Sequence, residues 1–138
     1  MSVTGRIHPR IVYLGLACLT IVLGLFVHRG VIPFGAIAKD VLGDALWAAM
    51  MVWWISAVRP DARLVMRGSV AFGICVAVEL SQLFHSPPID AVRGTTFGRL
   101  VLGSGFDARD LLAYALGVVV AVLLDRRVRM GAPGDTAH

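Results

Sequence analysis

The chain has 138 residues, 57% of them hydrophobic and 16% charged, with a net charge of +4. A soluble domain carries about 45–50% apolar and about 25% charged residues. The balance excludes a disordered chain and most small soluble catalysts, and points to one membrane domain over residues 1–138. The basic residues, all arginine except Lys39, flank apolar runs without interleaved aromatics, so they suit lipid headgroups and not nucleic acid.

Four apolar runs are read as helices, because backbone in lipid must satisfy its own hydrogen bonds. The first covers residues 11–27. Arg6 and Arg10 precede it, and Ala36-Ile37-Ala38 offers a small-residue cleavage pattern. The run is longer than a secretory apolar core and that pattern lies far beyond it, so a retained helix is expected. The second run, 41–58, has Asp44 just inside its start. Trp53 and Trp54, close to Arg59, suit an interfacial belt on the inner side, and Trp47 lies nearer the outer end.

The third run, 68–84, places Gly73, Ala77 and Ser81 on one face. The fourth, 107–124, does the same with Ala113, Gly117 and Ala121. Helices in lipid associate through small residues, so these two faces are expected to meet. Breakers separate the runs: His28-Arg29-Gly30 with Pro33, then Arg59-Pro60-Asp61, then Pro87-Pro88. Residues 94–106, with Gly94, Gly98, Gly103 and Gly105, read as an ordered outer loop or shallow re-entrant segment. Residues 127–138 read as a mobile tail. Cys18 and Cys75 lie inside apolar runs and read as small buried residues.

Arg6, Arg10, Arg59, Arg63, Arg67, Arg126, Arg127 and Arg129 fall on one side of the four spans. Arg29, Lys39, Arg93, Arg99 and Arg109 fall on the other, accompanied by acids. The positive-inside rule then puts both termini in the cytoplasm. The expected fold is an all-α membrane protein, a bundle of four transmembrane helices with short loops, in the bacterial cytoplasmic (inner) membrane.

Polar residues inside these runs carry the functional signal, since an intramembrane carboxylate is costly. Glu79 and Gln82 share a helix face, as do Asp107, Asp110, Tyr114 and Gly117. With Asp44, all fall in the outer half of the bundle, where Arg93, Arg99 and Arg109 also lie. The expected binding set is Asp44, Glu79, Gln82, Arg93, Asp107, Arg109, Asp110 and Tyr114, with Glu79 and Asp110 the candidates for catalysis. Plainer roles compete. Asp107 and Asp110 can cap the fourth helix. Arg109 can snorkel to headgroups. Glu79 can be a structural partner of Arg93 or Gln82. His28 and His85 read as interfacial residues, and no spacing suggests a metal site or a cofactor.

Gly43-Asp44-Ala45-Leu46-Trp47-Ala48, Glu79-Leu80-Ser81-Gln82, Leu102-Gly103-Ser104-Gly105-Phe106 and Asp110-Leu111-Leu112-Ala113-Tyr114 resemble motifs of the bacterial family called domain of unknown function 2809. The resemblance runs over roughly residues 10–125. It implies a small four-helix inner-membrane protein. A more distant resemblance links Glu79, Gln82, Asp110 and Gly117 to VanZ-like proteins, associated with teicoplanin resistance. Tyr114 stands where their pattern has asparagine, and Arg93 lies farther from Asp110 than in that pattern.

Three functions fit these residues. The first is an outer-leaflet pocket that binds, and in one version modifies, a lipid headgroup or lipid-linked envelope sugar. The second is a non-catalytic accessory subunit of a membrane complex, with Glu79 and Arg93 as an interhelical lock. The third is a proton-coupled transporter, which an apolar inner half argues against. Membrane lipids are the expected partners in the first case and another protein in the second. The oligomeric state is left open, and so is catalysis itself. No nucleotide loop, HExxH or GxSxG motif occurs.

Overall fold

The computed structural model describes residues 8–30, 33, 35–102 and 105–131, with the side chains of Leu100 and of residues 128–131 left aside. Every described element is a helix: α1 (Pro9–His28), α2 (Ala36–Val58), α3 (Leu64–Ser81), α4 (Pro87–Arg93), α5 (Thr96–Leu102) and α6 (Ala108–Gly131). Three of them, α1, α2 and α3, are long and apolar enough to cross a membrane. The fourth apolar run, apart from Asp107, lies within α6, which has 24 residues.

Local chemistry moves the helix ends away from the edges of the apolar runs. Pro9 occupies the first turn of α1, where its missing N–H costs nothing, and the His8 ring accepts the Arg10 N–H at 3.3 Å. α2 begins at Ala36, ahead of the apolar run, and stops at Arg59-Pro60. α3 ends at Ser81, not at Phe84. Past that point Gln82, Leu83 and Phe84 bond three residues back, to Glu79, Leu80 and Ser81. Such tight turns close a helix that Pro87 and Pro88 do not allow to continue. α6 runs past residue 124 to Gly131, since Arg126 and Arg127 end the apolarity without ending the helix. Residues 127–131 are therefore helical and not a loose tail, while residues 132–138 lie outside the described residues.

The third connection is not a short loop. It folds into α4 and α5, joined at a tight turn. The Thr95 hydroxyl accepts the Gly98 N–H at 2.9 Å and donates to the Val92 carbonyl at 2.7 Å. A Cβ at Gly98 would overlap that same carbonyl, so the turn requires glycine. Gly103 and Ser104 lie outside the described residues.

α1 lies along α2. α2 packs also on α6 and α3, α3 packs on α6, and α5 touches α3. The interior is built from small residues, among them Ala17, Ala48, Ala71 and Ala121. Large apolar side chains such as Ile11, Leu19, Phe26, Leu112 and Leu116 point outward. That inversion of the soluble pattern suits helices surrounded by lipid.

The expected meeting of two small faces does not occur. Gly73 and Ala77 are exposed, and a side chain at Gly73 would meet nothing. α3 instead presents Gly68, Ala71, Cys75 and Glu79, all buried. Gly68 abuts Val118 and Val122 of α6. Gly117 of α6 faces α2, where a Cβ would overlap the Ala45 carbonyl. Trp53 leaves the expected interfacial belt as well: it is buried and stacks on Tyr13 with ring centroids 6.4 Å apart.

Candidate functional site

The site begins with Glu79, which is fully buried near the end of α3. Its Oε1 accepts the backbone N–H of Asp107 at 2.7 Å. Its Oε2 accepts the Tyr114 hydroxyl at 3.1 Å and the Gln82 amide N–H at 3.2 Å. Asp107 is the residue before α6, and its own carboxylate accepts the Arg109 N–H at 2.9 Å. Glu79 thus places an acceptor at the positive end of α6 and ties α3 to it. Three donors offset the cost of burying this carboxyl group.

These bonds also fix the Gln82 amide. Its nitrogen must face Glu79, whose oxygens already accept from Tyr114 and Asp107. Its Oε1 has no hydrogen-bond partner, although Gln82 is only 4% exposed. A buried acceptor left unpaired costs about 1–3 kcal/mol.

Gln82 lines a cleft of about 880 Å³. The C-terminal half of α1, the N-terminal half of α2, α5 and the start of α6 form its walls. Of the sequence-predicted residues, Asp44, Gln82, Asp107, Arg109, Asp110 and Tyr114 line it. The Asp44 and Asp110 carboxyl groups interact directly across α2 and α6. Glu79 sits behind the wall as the buried support of Tyr114 and Gln82.

Arg93 is brought elsewhere, and the expected Glu79–Arg93 lock is absent. Its guanidinium donates to the carbonyls of Ser81 at 2.7 Å and Phe84 at 2.8 Å. A cation there complements the negative end of α3. Arg93 also lies 3.6 Å from Asp90, which meets the His85 ring at 3.3 Å.

Sequence reasoning placed Lys39 and Arg99 on the cleft side but left them out of the binding set, together with other lining residues. Lys39, Asp40 and Trp47 come from α2, Arg99 from α5, and His28 from the end of α1. The stripe Asp40, Asp44, Trp47 at helical spacing was the available signal. Among the described residues no group of three or more His, Cys, Asp and Glu side chains could hold a metal ion.

A second polar cluster was missed at the opposite end of the bundle. The Tyr13 hydroxyl donates to Asp125 Oδ1 at 2.7 Å. Arg67 Nη2 lies 2.8 Å from Asp125 Oδ2, with both side chains only 1% exposed. The Arg67 guanidinium carbon stands 5.4 Å from the Tyr13 ring centroid, a cation–π contact. The end of the bundle away from the cleft, expected to be apolar, is therefore polar, and Arg67 is a buried partner of Asp125 instead of a headgroup anchor.

An all-helical bundle with apolar outward faces and a polar cleft at one end defines a membrane-protein class. Within that class, the family model described as protein of unknown function (DUF2809) matches residues 35–118, and the chain belongs to this family. The match spans α2 to the middle of α6, and so includes every α2, α3 and α6 residue that lines the cleft. No solved structure matches the chain.

Proposed function

We propose that this chain is a four-span protein of the bacterial cytoplasmic membrane whose cleft binds the polar headgroup of a lipid or of a lipid-linked envelope sugar. α1, α2, α3 and α6 are the spans, both termini are cytoplasmic, and the cleft opens at the outer face. Exposed Arg10, Arg59, Arg63, Arg126 and Arg127, all at the end away from the cleft, support this orientation.

One observation carries the reading. Acids (Asp44, Asp107, Asp110) and cations (Lys39, Arg99, Arg109) converge on a cleft whose α1 wall contributes Ile21 and Leu25. Carboxylates accept from hydroxyls or amines, cations bind phosphate, and the apolar wall suits an acyl chain. Any transfer reaction in the cleft has Asp110 or Asp44 as its base, because the Glu79 oxygens already accept three hydrogen bonds.

The test is native mass spectrometry of the protein released from nanodiscs of its own membrane lipids. The expected result is a retained lipid or lipid-linked species that Asp110→Asn loses. Empty protein, or equal retention in both forms, sinks the reading. It would favour the accessory-subunit role, for which the buried Tyr13–Arg67–Asp125 cluster would be a purely structural clasp.

A further inference from the structure

The charged lining of the cleft is confined to its mouth. On α2, Lys39, Asp40 and Asp44 come first, and the lining residues deeper in the bundle are Leu46, Trp47 and Met50. On α6, Asp107, Arg109 and Asp110 precede Tyr114, whose hydroxyl donates to Glu79. α1 runs the other way, from Thr20 and Ile21 in the depth to Leu25 and His28 at the mouth. The Thr20 hydroxyl donates to the Leu16 and Ala17 carbonyls of its own helix at 2.9 and 2.8 Å. The deep end therefore offers chiefly aliphatic and aromatic surface, with the Trp47 ring adding one N–H to an apolar face. From Ile37 to Met50 the lining descends about 20 Å along α2, at about 1.5 Å per residue. One leaflet of a bilayer, headgroups included, is about 20–22 Å thick.

The cleft also has an open side. In the half of the bundle away from the mouth, Tyr13 and Ala17 of α1 share a core with Trp53, Ala71 and Ala121. In the half nearer the mouth the core is Ala48, Cys75 and Tyr114, and among the described residues α1 adds nothing to it. Close backbone contact of α1 is with α2, so α1 stands off α6 there with the cleft between them. Ile21 and Leu25 line the cleft yet are 39% and 38% exposed, and a Cβ on Gly24 in the same wall would meet nothing. The seam between α1 and α6 is bridged by Tyr13 and Asp125 at one end and open at the other.

We infer that the ligand enters sideways from the membrane through this seam and stays upright, with its headgroup at the charged mouth and one hydrocarbon chain against Ile21, Leu46 and Met50. The inference rests on the headgroup reading above and adds the source of the ligand, which is the adjoining leaflet and not the water. The order of polarity is the reason. The cleft passes from charged to apolar in the same direction, and over the same depth, as the leaflet beside it. A lipid crosses the seam without turning over or leaving its layer. A headgroup arriving from water needs neither the apolar depth nor the open side.

The experiment is photolabelling. The protein is placed in vesicles of phosphatidylethanolamine and phosphatidylglycerol, a small fraction of each carrying a diazirine halfway along one chain, and the labelled residues are located by peptide mass spectrometry. Adducts are expected at Leu46 or Met50 as well as on outward side chains such as Leu23 and Leu112. Gly24→Phe is expected to cut the deep adducts by about five- to tenfold, the effect of a ring placed where a chain must pack. Gly15→Phe, in open space elsewhere on α1, is expected to leave them unchanged. An excess of glycerophosphoglycerol, a headgroup without chains, is expected to leave them unchanged as well. Adducts confined to outward side chains, in protein that retains a lipid by native mass spectrometry, overturn the inference while the headgroup reading stands. Loss of the deep adducts to glycerophosphoglycerol does the same, since the ligand then comes from water. Equal labelling in the two glycine variants overturns the seam as the route. Retention of no lipid ends both readings. The wild-type adducts decide the matter even where a variant does not fold.

Discussion

The Tyr13 hydroxyl and the Asp125 carboxylate lie 2.7 Å apart across 112 positions of sequence. This bond joins the first helix to the last at the end remote from the cleft. Arg67 of α3 meets the other oxygen of the same carboxylate, so three helices share one acid.

Removing Asp125 leaves the buried Arg67 guanidinium without this carboxylate, and removing Arg67 takes a cation away from a buried acid. Arg67→Met or Asp125→Leu alone is expected to destabilise the bundle by about 3–5 kcal/mol. The double variant is expected to lose much less than the sum, since neither charge then remains. Thermal unfolding of the four proteins in one detergent gives the coupling. Additive losses would mean that the pair does not act as a unit.

Tyr114→Phe deletes one of three donors to a fully buried carboxyl group. The expected loss is about 1.5–3 kcal/mol, the range for a hydrogen bond to a charged group. Tyr13→Phe, tested by the same unfolding assay, should cost a similar amount, because it too deletes a donor to a buried acid. A Tyr114→Phe protein as stable as wild type would contradict the bond to Glu79.

Glycines on opposite faces should behave oppositely. Gly117→Ala forces α2 and α6 apart at the Ala45 carbonyl and is expected to cost about 1–3 kcal/mol. Gly73→Ala meets open space within a helix and is expected to be neutral or stabilising by about 0.5–1 kcal/mol. Equal effects at the two positions would show that α6 does not lie against α2 as described.

The orientation is open to chemical labelling. Single cysteines at Asp61 and Thr95, in a background with Cys18 and Cys75 replaced by alanine, are expected to react from opposite sides of sealed vesicles. In intact cells an impermeant maleimide should reach Thr95→Cys and not Asp61→Cys. The reverse pattern would place the cleft on the cytoplasmic side.

The apolar runs were legible because composition alone separates lipid-facing helix from loop. The gathering of Asp44, Gln82, Asp110 and Tyr114 was legible as well. Helical spacing and alternating direction bring those positions to one end whichever helices touch. What the sequence hid depends on rotation about each helix axis. Gly117 and Gly73 look equivalent as small residues, but only a packed neighbour decides which one is needed. Trp53 close to Arg59 looks interfacial until Tyr13 is found stacked on it. Arg67 entered the charge asymmetry as one more cation, although Tyr13 and Asp125 fall at the same depth by the same alternation. The seven-residue helices α4 and α5 carry too few turns for periodicity to register.

Among the described helices the close backbone neighbours of α1 lie on α2, a hydrogen bond to α6 is made at Tyr13, and the far half of α1 forms a wall of the cleft. A change in the tilt of this helix about Tyr13 widens or narrows the opening and leaves the packing of α3 on α6 untouched. In the headgroup reading proposed above, admission by size would therefore fall to the first helix.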